Sequence, residues 1–243
     1  MTERRRADRL LVERGLFESR AKAQAAIAAG RVMANGVVVS KASDEIALDA
    51  VVDASPEHPW VSRGGLKLAT ALDRFGISPK GRVCLDIGAS TGGFTHVLLE
   101  RGAKRIYAVD VGRGQLHASL RTRPEIAAME ATDIRALARA QMPEQPDLVV
   151  IDVSFISLKL VLPAAFALAK RPADLVALIK PQFEAGRAHL KKGVVRDAAV
   201  HQAVCDDIAA FVANAGWTAL GVIPSPVTGG DGNREFLLGA RHD

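Results

Sequence analysis

The chain has 243 residues, with 32 Lys plus Arg against 27 Asp plus Glu and a net charge of +5 at pH 7. Its 49% hydrophobic and 24% charged residues are the balance of a globular protein with a real core, which excludes disorder, collagen and coiled coil, and the length suits one large domain or a large domain with a small appendage. Two cysteines, Cys84 and Cys205, exclude a disulfide framework and a Cys-rich zinc site and fit a reducing cytoplasm.

The first residues are charged and lead into no apolar stretch, so no signal peptide is expected. Residues 1–41 hold nine Lys or Arg against four acids, whereas residues 42–62 hold five acids and no Lys or Arg. A basic head followed by an acidic connector reads as a small polyanion-binding module on a linker, or as a merely solvated helical surface. A short helix is predicted from Arg6 to Glu13, and a second from Arg20 to Ala29, with Ser19 as its N-cap and Gly30 as its stop. Asn35-Gly36 between two apolar runs predicts a β-hairpin over 31–39. The fragment Ser19-Arg20-Ala21-Lys22-Ala23-Gln24, with Gly30-Arg31-Val32 and Asn35-Gly36, resembles the S-four-like RNA-binding module named after a small-subunit ribosomal protein. That resemblance implies RNA contacts by Arg5, Arg6, Arg20, Lys22 and Arg31, mostly with phosphates and shape. Residues 1–58 are taken as this module and its linker, and 59–243 as a second domain.

From Trp60 strands and helices alternate, the pattern of a parallel α/β sheet with helices on both faces. Strands are predicted at Arg82–Ile87, Arg105–Asp110, Ala127–Ala131, Leu148–Asp152, Leu175–Ile179, Trp217–Ile223 and Glu235–Gly239. Helices fall at Leu66–Phe75, Phe94–Arg101, Gln115–Arg121, Leu158–Leu168 and Asp197–Ala215. The uncharged run from Ile208 to Gly230 is long enough to span a bilayer, but Asn214-Ala215-Gly216 and Pro224-Ser225-Pro226 divide it into helix end, strand and turn.

The segment from Val83 to Phe94 is an apolar strand, a glycine-rich turn and a helix start, where backbone can approach a ligand. Asp110, ending the next strand, is placed to grip ribose hydroxyls, a topology that also fits a dinucleotide enzyme. Asp86 before the first glycine suits a cationic ligand and repels a pyrophosphate, and Gly88 to Gly93 lacks the G-x-G-x-x-G spacing. The segment resembles the first motif of S-adenosylmethionine (SAM)-dependent methyltransferases. The resemblance implies that Asp86, Gly88, Ser90, Thr91, Gly92, Gly93 and Asp110 bind the cofactor, with Asp133 on the adenine side; alone, Asp133 reads equally as a loop N-cap.

Asp152-Val153-Ser154-Phe155 ends a strand at the carboxyl edge of the sheet, without the Asn/Asp-Pro-Pro-Tyr/Phe string usual for methylation of exocyclic base amines. Lys180 ends an apolar run before Pro181-Gln182-Phe183, Lys67 lies on the helix after Arg63-Gly64-Gly65, and Glu235 opens the last strand. Lys67, Asp152, Lys180 and Glu235 in that order resemble the Lys-Asp-Lys-Glu tetrad of FtsJ-type ribose 2′-O-methyltransferases. Taken singly, Lys67 reads as a solvated helix lysine and Glu235 as an edge-strand charge. The whole chain resembles the TlyA (hemolysin A-like) family over residues 5–240, with Ser62-Arg63-Gly64-Gly65-Leu66-Lys67-Leu68 and Lys180-Pro181-Gln182-Phe183-Glu184 among the matching strings.

The resemblance implies a Rossmann-like methyltransferase sheet with an S-four-like domain. It also implies SAM as cofactor, methylation of cytidine ribose, ribosomal RNA or ribosomal subunits as partner, and a cytoplasmic enzyme. The short ends look like the compact variant of the family, which implies large-subunit RNA. A ribose hydroxyl is a weak nucleophile, so the chemistry asks for in-line alignment and a group that helps its proton leave. Lys180 is assigned that task, oriented by Asp152, with Lys67 and Glu235 completing the charge network; no metal is needed. Arg187, Lys191, Lys192 and Arg196 form a basic loop, either a second RNA contact or solvated surface. Competing readings are a membrane-damaging protein of hemolysin type, an RNA-binding protein with an inactive methyltransferase fold, and a base or protein methyltransferase.

Overall fold

The computed structural model describes residues 3–243, which divide between Pro59 and Trp60 into two compact units. The first holds β1 (Arg4–Arg6), α1 (Ala7–Glu13), α2 (Arg20–Ala28), β2 (Val32–Ala34), β3 (Val37–Val38), β4 (Glu45–Ala47) and β5 (Val52–Ala54). Ser19 caps α2, its Oγ accepting from the Lys22 N–H at 3.3 Å. Asn35 and Gly36 take φ of +49° and +78°, the left-handed pair that a tight hairpin needs. Leu10, Leu11, Phe17, Ala23, Ile27, Val32 and Ile46 form the core between the helices and the strands.

The acidic stretch is not a linker. It supplies β4, antiparallel to β1, and β5, antiparallel to β2. Ile46 is buried while Glu45 and Asp53 face water on the outer side of these strands, and Asp44 caps the turn before β4 by accepting from the Ser40 and Lys41 N–H groups. Beneath them Asp8 has no exposed side-chain surface. It accepts from Arg6 Nε at 3.1 Å, Arg20 Nη2 at 2.7 Å and Gln24 Nε2 at 2.8 Å.

In the second unit α3 (Gly64–Phe75) precedes β6 (Val83–Ile87), α4 (Gly93–Glu100), β7 (Arg105–Val109), α5 (Ala118–Arg121), β8 (Ile126–Met129) and β9 (Leu148–Ile151). Then come α6 (Leu158–Leu168), β10 (Ala173–Ile179), α7 (Pro181–Glu184), α8 (Ala198–Asn214), β11 (Thr218–Pro224) and β12 (Phe236–His242). The seven strands lie in the order β11-β12-β10-β9-β6-β7-β8. Alternation sorts the central strands: Leu85, Ile87, Val149, Ile151 and Leu175 pack with α6 and α8, while Cys84, Leu148, Val150 and Val176 pack with α3 and α4.

Two expectations change here. β12 runs antiparallel to both β10 and β11, because the loop over 225–235 that joins β11 to β12 holds no crossover helix. The helix expected over Gln115–Arg121 is only the turn Ala118–Arg121, since the Glu130 carboxylate accepts from the N–H groups of Gly114, Gln115 and Leu116 and holds that segment open. The uncharged run from Ile208 is the end of α8, then β11 and the loop after it.

Asp8 and Asp86, the two aspartates with no exposed surface, give pH tests. Hydrogen bonding to Arg6, then to Arg20 and Gln24, holds Asp8 well below the ordinary carboxylate range. Its stabilising contribution is therefore complete above the unfolded-chain value near 3.9 and is lost as pH falls toward the folded value. Amide exchange within residues 3–59 should accelerate as pH drops below about 4, beyond the intrinsic trend. In Asp8→Asn that extra acid sensitivity should vanish, and an unchanged profile would refute it.

Asp86, on the α4 face of β6, is fully buried, and its Oδ2 accepts from Thr95 Oγ1 at 2.6 Å. Burial pushes it up to about 7, against the Thr95 hydrogen bond and with the Asp152 and Asp110 carboxylates adding to the rise. The folded state then holds a proton that the unfolded chain has lost, so this group's contribution shrinks as pH rises from about 4 through 7. Asp86→Asn should gain stability relative to the parent by a few kcal/mol between pH 5 and pH 8 in denaturant titrations; a pH-independent difference would contradict this.

Candidate functional site

Strand order reverses at β6, whose chain leaves toward β7 on one side while β9 lies on the other, and a crevice opens there at the carboxyl ends of the strands. Two cavities occupy it, of about 310 Å³ and 470 Å³. Gly88, Ser90, Asp152 and Ser154 line both, so they form one cleft. Together they are in the size range of cofactor sites, roughly 300–1,000 Å³.

The larger cavity lies between the ends of β6, β7 and β9. Asp110, just past β7, braces the glycine loop: its Oδ2 accepts from the Ser90 N–H at 2.8 Å and its Oδ1 from the Gly112 N–H at 2.7 Å. Asp133 lines the same cavity and caps a short 3₁₀ turn, accepting from the Arg135 N–H at 2.9 Å. The Arg135 guanidinium lies 2.6 Å away and holds this carboxyl down at about 2. Val109, Val111, Ile134, Ile156 and Val161 supply apolar walls.

The glycines are required, but for a reason the sequence does not state. A Cβ on Gly88 would sit 2.2 Å from the Asp152 carbonyl oxygen, and one on Gly93 would sit 2.2 Å from Ser62 Oγ. Gly92, at φ +95°, would meet Leu120 Cδ1 at 2.4 Å, and it lines neither cavity. These residues let the protein close on itself around the cleft. Asp86 also lines neither cavity, being sealed beneath the loop against Thr95 with its other oxygen unpartnered. Alternation along β6 turns this side chain toward α4 rather than into the cleft. Ser90 and Thr91 face the smaller cavity.

The smaller cavity gathers charge. Lys180, immediately after β10, places Nζ 2.6 Å from Asp152 Oδ1 and donates to Ser154 Oγ at 2.8 Å. Lys67, on α3, places Nζ 2.5 Å from Glu235 Oε2. Lys67, Lys180 and Glu235 are buried, at 8%, 9% and 4% exposure, so each depends on its opposite charge. Glu235 precedes β12, and the antiparallel direction of that strand returns it to the edge where β9 and β10 end. The structure thus joins the four residues as two ion pairs, with Lys67, Asp152 and Lys180 lining the cavity and Glu235 behind Lys67. Lys67 is no solvated helix lysine.

Sequence reading left several lining residues without a role. The segments after β9 and β10 grip each other at three points. Lys180 holds Asp152 and Ser154, the Phe183 and Phe155 rings meet at 5.0 Å, and the Glu184 carboxylate accepts from Ser157 Oγ at 2.6 Å and the Leu158 N–H at 2.8 Å. Phe155 is 90% exposed in a left-handed backbone at φ +65°, at the mouth of the larger cavity. A strained, solvated aromatic beside a cleft is a functional signal, though one that exists only in the folded chain. Among the described residues no group of three His, Cys, Asp or Glu is arranged to hold a metal ion, and no helix is long and apolar enough to cross a membrane.

In the N-terminal unit most of the arginines and lysines singled out are engaged. Arg6 and Arg20 hold Asp8, Arg5 pairs with Glu13 at 2.7 Å and with Glu3 at 3.3 Å, and Lys22 pairs with Glu18 at 2.5 Å. Arg31 is exposed and has no ion-pair partner among the described residues.

Over residues 60–242 the sequence matches the model of the FtsJ-like methyltransferases, and over residues 5–52 that of the S4 domain. It is 46% identical over 246 residues to the 16S/23S rRNA (cytidine-2′-O)-methyltransferase TlyA of Mycobacterium tuberculosis, covering 99% of this chain and 91% of that relative. Identity to Hemolysin A of Brachyspira hyodysenteriae is 38% over 234 residues, covering 96% of this chain and 98% of the relative. A solved structure of a candidate hemolysin from Streptococcus thermophilus superposes with a TM-score of 0.76 at 41% identity, covering 100% of this chain and 90% of that one. Matching models over both units, relatives that align end to end and the strand order of the larger unit agree: the chain belongs to the FtsJ-like methyltransferase family, in the group of TlyA and Hemolysin A that joins such a domain to an S4 domain.

Proposed function

We propose that this methyltransferase transfers a methyl group from SAM to the ribose 2′-hydroxyl of a cytidine in ribosomal RNA. The observation that carries the reading is the Lys180–Asp152 pair at 2.6 Å, beside the Lys67–Glu235 pair at 2.5 Å, in the part of the cleft that adjoins the glycine loop.

The larger cavity fits SAM in kind: apolar walls for an adenine, Asp110 and Asp133 as acceptors for its hydroxyl and amino groups, and a bare glycine turn at Gly88. Ser90, Thr91 and Gly93 lead from there into the smaller cavity. When bound, SAM supplies an electrophilic methyl group on a sulfonium. Lys180, in its unprotonated form, then meets the acceptor hydroxyl and takes up its proton as the oxygen takes the methyl group, becoming the ammonium that pairs with Asp152. Asp152 and Ser154 fix where the Lys180 ammonium points, and Lys67 with Glu235 balances charge in a site short of water. Phe155, strained and solvated at the rim, offers a flat face on which a base can stack.

Ribose is favoured over a base amine because the strand end reads Asp152-Val153-Ser154-Phe155 and the charged groups converge on a lysine rather than on an amine-binding Asn/Asp-Pro-Pro string. Ribosomal RNA and cytidine are favoured by the S4 domain and by the activity in the name of the 46% identical relative. Such a substrate makes the enzyme cytoplasmic. The N-terminal unit is assigned RNA binding; Arg31 is the candidate there with its charge unengaged, while Arg5 and Arg6 on β1 and Arg20 and Lys22 on α2 combine ion pairing with half-exposed side chains.

Labelled-methyl transfer from SAM to separated ribosomal subunits and free ribosomal RNAs tests this. The parent enzyme should yield one nucleotide resistant to alkaline cleavage, because methylation removes the attacking 2′-hydroxyl. Lys180→Ala should bind SAM and RNA nearly as before and lose about 10²–10⁴-fold in turnover. Lys180→Arg should be almost as inactive, since a guanidinium keeps its charge and its proton. Label on a base, or an active Lys180→Ala enzyme, would overturn the ribose assignment.

A further inference from the structure

We infer that the loop from Arg187 to Arg196 is a second RNA-backbone contact, built into the methyltransferase unit beside its cleft. The inference rests on the reading of the chain as an RNA methyltransferase. Charge is the first observation. Arg187, Lys191, Lys192 and Arg196 are all exposed, no acid lies among residues 185–196, and none of the four has an ion-pair partner among the described residues. The flanking acids are occupied elsewhere: Glu184 accepts from Ser157 and Leu158, and Asp197 caps α8 through the Ala199 N–H at 2.8 Å.

Shape is the second. Lys191 and Val194 exchange backbone hydrogen bonds at 3.0 and 3.1 Å, closing a two-residue turn at Lys192-Gly193. Both turn residues have positive φ, +53° and +79°, a geometry that favours Asn or Gly at the first position. A lysine there carries strain that no hydrogen bond or ion pair of its own side chain offsets, which favours a role for that side chain outside the fold.

Rigidity is the third. Asn233, 3% exposed, donates from Nδ2 to the Gly193 carbonyl at 3.1 Å and accepts from the Val195 N–H at 3.3 Å. His201, 5% exposed, bonds the Val195 carbonyl through Nε2 at 3.0 Å, and its ring packs against Phe236. The loop begins seven residues after Lys180 and is pinned by a residue two before Glu235, so its charges are held on the side of the molecule where the tetrad lies. Flexible lysines lose rotamer freedom when they bind; a pinned turn loses less and sets the spacing of the phosphates it meets.

The test uses the full chain and purified ribosomal RNA. In Arg187→Gln/Lys191→Gln/Lys192→Gln the slope of log affinity against log salt should become shallower by about 0.7–0.9 per contact removed. The KM for RNA should rise while SAM affinity and turnover at saturating RNA stay as in the parent. The single variant Lys192→Asn separates binding from folding: Asn suits the turn, so its melting temperature should hold or rise while RNA binding weakens several-fold. An unchanged salt slope in the triple variant would overturn the inference, as would polyglutamate competing as well as RNA of equal charge, which would make the loop a contact for acidic protein. Absence of methyl transfer by the parent chain, with the salt slope still altered by the variants, would instead refute the functional reading and leave this contact standing.

Discussion

Everything at the carboxyl edge of the sheet depends on charge that cannot stand alone. Lys67, Lys180 and Glu235 are almost fully out of water, where an unpaired ion costs several kcal/mol. Each is admitted only because an opposite charge lies within 2.6 Å. That demand reaches back into the topology. Glu235 can neutralise Lys67 only because β12 runs against its neighbours, so that the beginning of the last strand meets the ends of β9 and β10. With β12 parallel, the same sequence would carry Glu235 to the far side of the sheet and leave Lys67 buried and uncompensated.

The second constraint is steric. Gly88 and Gly93 occupy points where the protein touches its own backbone or side chains more closely than any Cβ permits. The cleft is therefore pre-formed by contacts between β6, the Asp152 segment and the start of α3, with Asp110 holding the turn by two backbone hydrogen bonds. A site set by close packing and satisfied hydrogen bonds has little reorganisation left to do when a ligand arrives.

This division explains what the residues disclosed in sequence. The sheet and its strand ends were legible because short apolar runs bounded by turn residues mark strands, whereas Lys67, Asp152, Lys180 and Glu235 were grouped only by resemblance, since nothing local separates Lys67 from a solvated helix lysine. The ladder β1–β4 and the strand β5 were not, since three-residue strands carry too little alternation and their outward acids read as a connector. The direction of β12 lies in a loop length, not in the strand itself. The facing of Asp86 was not legible for a different reason: the sequence places an acid before the turn, and only the pleat of β6 decides whether it points into the cleft or at Thr95. Phe155, Glu184 and Asn233 had no local signature, because each matters through a partner more than twenty residues away.

The two ends of the sheet make the same argument in reverse. At the amino end Arg82 is gripped by Asp147 at 3.0 Å and Asp174 at 2.6 Å, while Arg241 holds the other oxygen of Asp174 at 2.7 Å and Lys170 approaches Asp147 at 2.9 Å. Every charge there is spent on another protein charge, and neither cavity touches any of these five residues. At the carboxyl end the pairing is as tight, yet Lys180, Asp152, Ser154 and Asp133 line the cavities, and Phe155 is 90% exposed with only the Phe183 ring against it. A network closed on itself serves stability. One that balances its charge while lining a cavity with carboxylates, a hydroxyl, a lysine and an aromatic ring is the pattern of a ligand site.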